Sequence, residues 1–201
     1  MQIDVKGKNG NECYSLLVGL IAPRPIAWVT SLSASGVVNL APFSFFNMFG
    51  VCPPVVVFSP TLRPDGSKKD THLNIEATKQ FVIHAATEQN VEQINSSSKM
   101  LPHNQSEAEW LRLELEASSK IKVPKLKNVP WAVECELDKI VPLGGGPLSG
   151  NLIIGEIVYI HVSDEILDEK QLPDPRKLKS VARLGGEYWC RSQDLFTQKR
   201  P

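Results

Sequence analysis

Four consecutive residues near position 70 combine the side chains that a phosphate-binding site needs. Lys68, Lys69, Asp70 and Thr71 lie where a helix over 72–79 is predicted to begin. A helix N-terminus leaves backbone N–H groups unpaired and carries partial positive charge, so two lysines and a hydroxyl there could bind phosphate. The alternative, which the spacing alone favours, is a surface helix capped by Asp70 or Thr71, with both lysines in solvent.

A second group of small polar residues surrounds a proline among aromatic side chains. Asn39, Ser44 and Asn47 flank Pro42, and four phenylalanines occupy the same stretch. Since proline donates nothing to a sheet ladder, a strand ends, bulges or lies at an edge there. Backbone groups freed at such a place can bind a ligand, and this mixture of side chains suits a ligand that is flat and partly polar.

Other arrangements that could perform chemistry are missing from the sequence. The four cysteines are scattered without a Cys-x-x-Cys pair, and the four histidines are isolated, which argues against redox and metal sites. The glycine-rich run 144–150 lacks the third glycine of a dinucleotide fingerprint and the lysine of a P-loop, and a strand follows it. We expect no metal site, no catalytic acid, base or nucleophile, and no Rossmann domain.

Composition and charge exclude several classes of protein. Lys plus Arg equals Asp plus Glu at 22 each among 201 residues, so no nucleic-acid surface is expected. The polar N-terminus shows no signal peptide, and Arg24 and two prolines interrupt the apolar run 16–29 too much for it to cross a bilayer. We expect a cytoplasmic protein that forms one domain over residues 1–201 and does not enter a membrane.

The elements that must position these residues are mainly short strands. Apolar runs and period-two patterns predict strands at 26–30, 37–40, 55–58, 80–85, 131–141 and 152–162, the first of them half-buried. Helices are predicted at 72–79, 87–97 and 106–115, and 11–22 forms a short helix or a lead-in segment. Because no βαβ rhythm occurs, we expect a mainly β, antiparallel Greek-key barrel with flanking helices.

Three local details of these elements can be tested directly. Ser106 and Glu109 fit a capping box that opens the last helix. Alternation along 131–141 places Glu134 and its acidic neighbours on a solvated face. Gly155 marks a bulge in the strand that contains it.

Three segments resemble one known family. The run PRPIAWVTSLSASGVVNLAPFSFFNMFG at 23–50, SKKDTHLNI at 67–75 and VARLGGEY at 181–188 are similar to segments of the flavin reductase-like, FMN-binding split-barrel proteins. That family includes flavoredoxins and the reductase components of two-component monooxygenases. The resemblance implies an antiparallel split barrel that binds FMN, with FAD less expected, and that assembles as a homodimer with flavin sites near the subunit boundary.

The resemblance also implies which residues contact the flavin. In this chain they are Trp28, Thr30, Ser31, Asn39, Ala41, Pro42, Ser44, Phe45, Phe46, Asn47, Lys69, Asp70, Thr71 and Arg183. Residues 39–47 would surround the ring, and 69–71 would contact the phosphate. For Thr30 and Ser31 the alternative is that the hydroxyls only satisfy neighbouring groups, and the phenylalanines could be ordinary core.

The implied chemistry is flavin redox, with two alternatives. NADH or NADPH would reduce the flavin, and the reduced flavin would pass electrons to a monooxygenase or another acceptor. The rivals are a flavoredoxin-like electron carrier without nicotinamide turnover, and a structural domain without cofactor. Arg183 could contact the nicotinamide dinucleotide, brace the dimer, touch the flavin or lie in a surface turn, and the role of Tyr188 stays open.

Overall fold

The computed structural model describes residues 2–8 and 10–201, and its secondary structure is mainly β. In chain order the strands are β1 Ala27–Leu32, β2 Val38–Phe43, β3 Phe46–Val51, β4 Pro54–Phe58, β5 Gln80–His84, β6 Leu115–Glu116, β7 Lys125–Leu126, β8 Trp131–Leu143, β9 Gly150–Val162, β10 Val181–Arg183 and β11 Trp189–Arg191. The α-helices are α1 Gly10–Leu20, α2 Asp70–Thr78, α3 Val91–Ser96, α4 Glu107–Trp110 and α5 Pro175–Leu178. A 3-10 turn covers Asp164–Ile166. Among these residues, no helix is long and apolar enough to cross a membrane.

Seven strands form one antiparallel sheet whose order explains its curvature. The order is β2-β1-β5-β8-β9-β4-β3, so β2 and β3 are its two edges. Yet β2 ends at Phe43 and β3 begins at Phe46, so only two residues join the edges. The sheet must therefore curl until its edges come near each other, which gives a barrel split between β2 and β3. The predicted fold class, an antiparallel split barrel with flanking helices, is confirmed.

Three phenylalanines fill the centre of the main core. The ring of Phe58 lies 5.1 Å from that of Phe43 and 5.5 Å from that of Phe81, measured between centroids. Gly155 is required here, because a Cβ atom on it would lie 2.4 Å from Phe81 Cζ. The irregularity predicted at Gly155 is present, but its extra residue lies on the partner strand: Gly155 pairs with Leu137, Ile154 pairs with Lys139, and Asp138 of β8 is left between them.

Strand β1 is buried on both faces, not on one as the alternation predicted. Ala27 and Val29 belong to the main core, whereas Trp28 packs in a second cluster with Leu40 and Ile94. The second face is covered because α3, α4 and the β6–β7 hairpin contribute to that cluster. Trp28 is thus a core residue with 1% of its surface exposed.

Helices α3 and α4 are shorter than predicted, whereas α2 is not, and local structure explains where the two shorter helices begin and end. Asn90 Oδ1 accepts the Thr87 N–H at 2.8 Å, so a turn takes the place of the first helical residues before α3. Ser106 Oγ accepts the Glu109 N–H at 3.4 Å, which confirms the predicted cap of α4. That helix stops at Trp110, and Arg112 adopts a left-handed backbone with φ 56°.

Glu134 is buried, although strand alternation predicted a solvated side chain. Its carboxylate accepts backbone N–H groups of Ser119, Lys120 and Ile121 at 2.6, 2.7 and 3.2 Å. His161 Nε2 lies 2.7 Å from the same carboxylate. The strand is covered at Glu134 by residues that donate to this carboxylate, whereas Glu136 and Asp138 are exposed as predicted.

Candidate functional site

A cavity of about 310 Å³ lies beside the edge strand β2. The start of α2 forms one wall, and the segment before α2 and the segment after α3 complete the cavity. The lining residues are Asn39, Ala41, Pro42, Phe43, Thr61, Leu62, Arg63, Pro64, Lys69, Asp70, Thr71, Ser97, Ser98, Lys99, Met100, Leu101, Glu107 and Leu148. Six of the sequence-predicted site residues therefore share one cavity: Asn39, Ala41, Pro42, Lys69, Asp70 and Thr71.

The first turn of α2 is not capped by either side chain that the sequence indicated. Lys69 occupies the N-cap position, and no side chain accepts a hydrogen bond there. Asp70 is bound instead by Arg63 Nη2 at 2.9 Å and by His103 Nδ1 at 2.5 Å. Thr71 Oγ1 accepts from Asn39 Nδ2 at 2.8 Å. The capping prediction is wrong because both side chains have partners on other segments. The first turn of α2, which lines the cavity, therefore has no side chain that accepts its N–H groups.

Lys69 brings positive charge to this wall of the cavity. Its Nζ lies 5.6 Å from the centre of the Phe43 ring, and burial, with a smaller effect of Arg63, lowers its pKa. Within residues 2–8 and 10–201, no carboxylate pairs with it. Lys68, by contrast, pairs with Glu76 at 2.7 Å. A partly buried ammonium without a counter-ion, beside an uncapped helix N-terminus, favours an anionic ligand.

Trp28, Thr30 and Ser31 do not line the cavity, although Trp28 and Ser31 contact residues that do. Trp28 Nε1 donates to Ser97 Oγ at 2.9 Å, and Thr30 Oγ1 donates to the Pro124 carbonyl at 2.8 Å. Ser31 Oγ accepts from Asn74 Nδ2 at 3.2 Å and lies 3.5 Å from the Asn39 amide. These side chains satisfy neighbouring groups, which was the alternative left open for two of them.

A second cavity of about 220 Å³ continues the first along β2. Pro42 and Ser98 line both, so the two form one trough. Ser44 and Arg183 lie in the second part, together with Tyr14, Ile26, Ile94, Asn95 and Trp189. The Arg183 guanidinium lies 4.9 Å from the Trp189 ring, and its Nη2 donates to the Gly186 carbonyl at 2.7 Å. The exposed Tyr188 lines neither cavity.

Phe45, Phe46 and Asn47 lie on the link between the sheet edges and on β3, outside both cavities. Phe45 is 39% exposed and packs near Tyr14 at 6.3 Å between ring centroids. Phe46 packs against the main core, and Asn47 Oδ1 accepts the N–H of the next residue. Of the predicted stretch 39–47, the structure thus brings the β2 residues and Ser44 to the trough, but not residues 45–47.

Sequence reasoning missed several charged residues of the site: Arg63, Lys99 and Glu107 line the first cavity, and Arg24 lies below the trough. Arg24 is buried beneath the trough, where it donates to Ser44 Oγ at 3.3 Å and to the Val18, Ile21 and Leu184 carbonyls at 2.5, 2.9 and 3.0 Å. An arginine between two prolines in an apolar run was the available signal.

Glu107, another missed residue, lines the first cavity and is 6% exposed. Its Oε2 accepts the Leu40 N–H at 2.9 Å. Burial, assisted by the charge of Asp70, raises its pKa. No local pattern in the sequence marks this residue.

A family model, known sequences and solved structures are all similar to this chain. The family described as flavin reductase like domain matches residues 20–181. The chain is similar to an uncharacterized protein of Halalkalibacterium halodurans, with 37% identity over 203 residues that cover 100% of this chain and 97% of the relative.

Two solved structures are also similar to the chain over nearly its whole length. Nitrilotriacetate monooxygenase component B from Bacillus cereus has 34% identity and a TM-score of 0.93, with 98% of each chain covered. The 2-nitrobenzoate 2-nitroreductase NbaA from Pseudomonas fluorescens has 33% identity and a TM-score of 0.89, covering 100% of this chain and 96% of that one.

Proposed function

The chain belongs to the flavin reductase-like domain family, and from that premise we propose that it binds one FMN non-covalently in the trough beside β2. The family match supports a flavin-related reductase role. The single observation that supports this position for the FMN is Lys69, whose positive charge lies at the wall of the larger cavity. FAD is the less expected cofactor.

The residues of the trough fit an FMN molecule in their chemistry. A volume of about 310 Å³ is within the range of small-molecule sites. Lys69 and the first turn of α2 would hold the phosphate, because both offer positive charge or free N–H groups. Pro42, Leu62 and Met100 provide apolar surface for a flat ring.

The edge position of β2 gives backbone groups that could recognise the polar rim of the ring. The Leu40 N–H points away from β1, since it donates to Glu107. Residues alternate along a strand, so Pro42 presents its carbonyl on the same side, where a proline leaves no N–H unpaired. This carbonyl is an acceptor suited to a ring N–H.

The bound flavin would accept and donate electrons, while the protein orients it and excludes water. We propose that NADH or NADPH is the reductant and that Arg183, in the second part of the trough, attracts the dinucleotide. A monooxygenase or another acceptor would receive the electrons, an assignment suggested by the similarity to a monooxygenase component B. A flavoredoxin-like carrier without nicotinamide turnover is the alternative.

We further propose a homodimer that acts in the cytoplasm. Strand β3 is an edge of the sheet and exposes Met48, Phe49 and Val51 at 61, 69 and 77%. An exposed apolar edge strand is prone to pair with another chain, so a second copy that covers it would protect the protein.

Purification without added flavin, followed by denaturation and identification of the released molecule, tests the cofactor. We expect FMN at one per chain. A colourless protein that also fails to bind FMN in a titration would refute the proposal. If FMN binds but neither NADH nor NADPH reduces it in stopped-flow experiments, the electron-carrier alternative replaces the reductase.

A further inference from the structure

We propose that Glu107 binds the ribityl chain of the flavin by accepting hydrogen bonds from its hydroxyl groups. The proposal rests on the flavin site above and adds to it a residue that neither the motifs nor the family resemblance indicated. It assigns the part of the ligand between the ring and the phosphate to a particular side chain.

Glu107 has capacity to accept hydrogen bonds that the protein does not fill. Only 6% of the surface of Glu107 is exposed, and the residue lines the larger cavity. Within the described part of the chain, Leu40 is the only other residue that donates to it. A carboxylate can accept about four hydrogen bonds, so acceptor positions remain for a ligand.

Comparison with Glu134 shows what a purely structural buried glutamate looks like in this protein. Although burial alone would raise the pKa of Glu134, three backbone N–H groups and His161 lower it. For Glu107 the effect of burial prevails and the pKa is raised. Glu134 is thus satisfied internally and lines neither part of the trough, whereas Glu107 is left with incomplete compensation at a cavity wall.

The surrounding charges favour a neutral donor as the partner of Glu107. Asp70 lies on the same cavity and its charge adds to the raised pKa of Glu107, so a phosphate beside Glu107 would be repelled, whereas at the start of α2 Asp70 is paired with Arg63 and His103. Lys69 offers a better position for that anion. A polyol provides neutral O–H donors, which a buried carboxylate needs.

The order of groups along β2 matches the order of groups along the ligand. Thr71, two residues after Lys69, is bonded to Asn39, Glu107 is bonded to Leu40, and Pro42 follows two residues later. A ligand with its phosphate at Lys69 and its ring at Pro42 therefore carries its ribityl chain past Glu107.

Three flavins that differ only in the side chain test the proposal by fluorescence titration. FMN has ribityl and phosphate, riboflavin has ribityl alone, and lumiflavin has a methyl group instead. Glu107→Gln keeps an acceptor for the Leu40 N–H but loses the charge. We expect it to weaken FMN and riboflavin binding by about tenfold each, since hydrogen bonds to charged groups are the stronger ones, and to leave lumiflavin unchanged.

Control variants separate this effect from others. Glu109→Gln changes an exposed carboxylate on the same helix and should alter none of the three affinities. Should Glu107→Gln fail to fold by circular dichroism, Glu107→Asp withdraws the carboxylate and is expected to give the same ligand pattern.

Each contrary result has a distinct meaning. An equal loss for lumiflavin would place Glu107 against the ring and overturn the proposal, as would no loss for riboflavin. If the wild type binds none of the three flavins, the flavin site itself fails. If the wild type and folded Glu107→Gln bind all three flavins with the same affinities, the flavin site stands and only the role of Glu107 fails.

Discussion

At the scale of single residues, Lys69 is the side chain whose removal should discriminate most sharply between ligands. Lys69→Met removes a charged donor to phosphate, which contributes about 1.5–3 kcal/mol. We expect FMN affinity to fall at least about tenfold while riboflavin affinity changes little. Lys68→Met is the matched control, because Lys68 already pairs with Glu76. Equal losses for FMN and riboflavin would place the phosphate elsewhere.

Arg183 is the residue that should separate nicotinamide binding from flavin binding. Its guanidinium stacks on Trp189 at the far part of the trough, where it could bind a phosphate or a flat ring. Arg183→Ala should raise the nicotinamide concentration needed for half-maximal flavin reduction by about tenfold, with FMN affinity unchanged. Stopped-flow reduction measures this. An unaltered concentration dependence would exclude the contact, and a shift in FMN affinity or dimer mass would point to the other roles.

His84 makes stability depend on pH. Its Nδ1 and Nε2 lie 2.9 Å from the Trp28 carbonyl and the Leu126 N–H, and burial lowers its pKa to about 4. The unfolded chain therefore binds a proton at higher pH than the folded protein, so stability is full above about pH 6.5 and declines toward pH 4.

The expected loss over this window is about 3 kcal/mol of unfolding free energy, measured by urea denaturation at several pH values. His72, whose pKa is also lowered mainly by burial, acts in the same direction. His84→Gln should therefore keep only part of the slope. A wild type whose stability is flat from pH 6.5 to 4 would contradict the assignment.

At the scale of elements, Arg24 joins three segments that the sheet alone does not hold. Its guanidinium reaches the end of α1, Ser44 on the link between the edges, and Leu184 after β10. Arg24→Met should cost about 3 kcal/mol, because three buried carbonyls lose their donor. Amide hydrogen exchange should show earlier opening of α1 and of 184–188 than of β8 and β9. Uniform opening of all these elements would refute the local role.

The strands were predictable from the sequence to a greater extent than the helices or the site. Period-two and apolar runs located six of the seven sheet strands, because burial on at least one face governs their composition, but they missed the edge strand β3. Helix lengths failed at Asn90 and Arg112, where turns and a left-handed residue stop the chain. Lys69 was identifiable from its place beside a helix start, and Arg24 had a local signal in its two flanking prolines. The partners of Glu107 and Arg24, however, lie 67 and 160 residues away, and no local pattern encodes them.

At the scale of the whole molecule, the dimer is the property that light scattering can decide. Phe49→Glu places a charge on the exposed apolar row of β3 and should convert a dimer into a monomer at micromolar concentration, since a buried unpaired charge is costly. Leu172→Glu changes a side chain exposed to 58% in a distant loop and serves as the control. A wild type that is monomeric with flavin bound would remove the dimer proposal altogether.

The strand order has a consequence for synthesis on the ribosome. Hairpins β1–β2 and β3–β4 emerge first. In the finished sheet β5 pairs with β8 and β4 pairs with β9, so both must wait for these later strands. Until residue 162 has left the exit tunnel, the nascent chain therefore carries two unpaired strand edges, on β5 and β4, in addition to the β2 and β3 edges of the finished sheet. Chains that stop before β8 should accumulate in inclusion bodies or on chaperones, whereas chains that stop shortly after β9 should not.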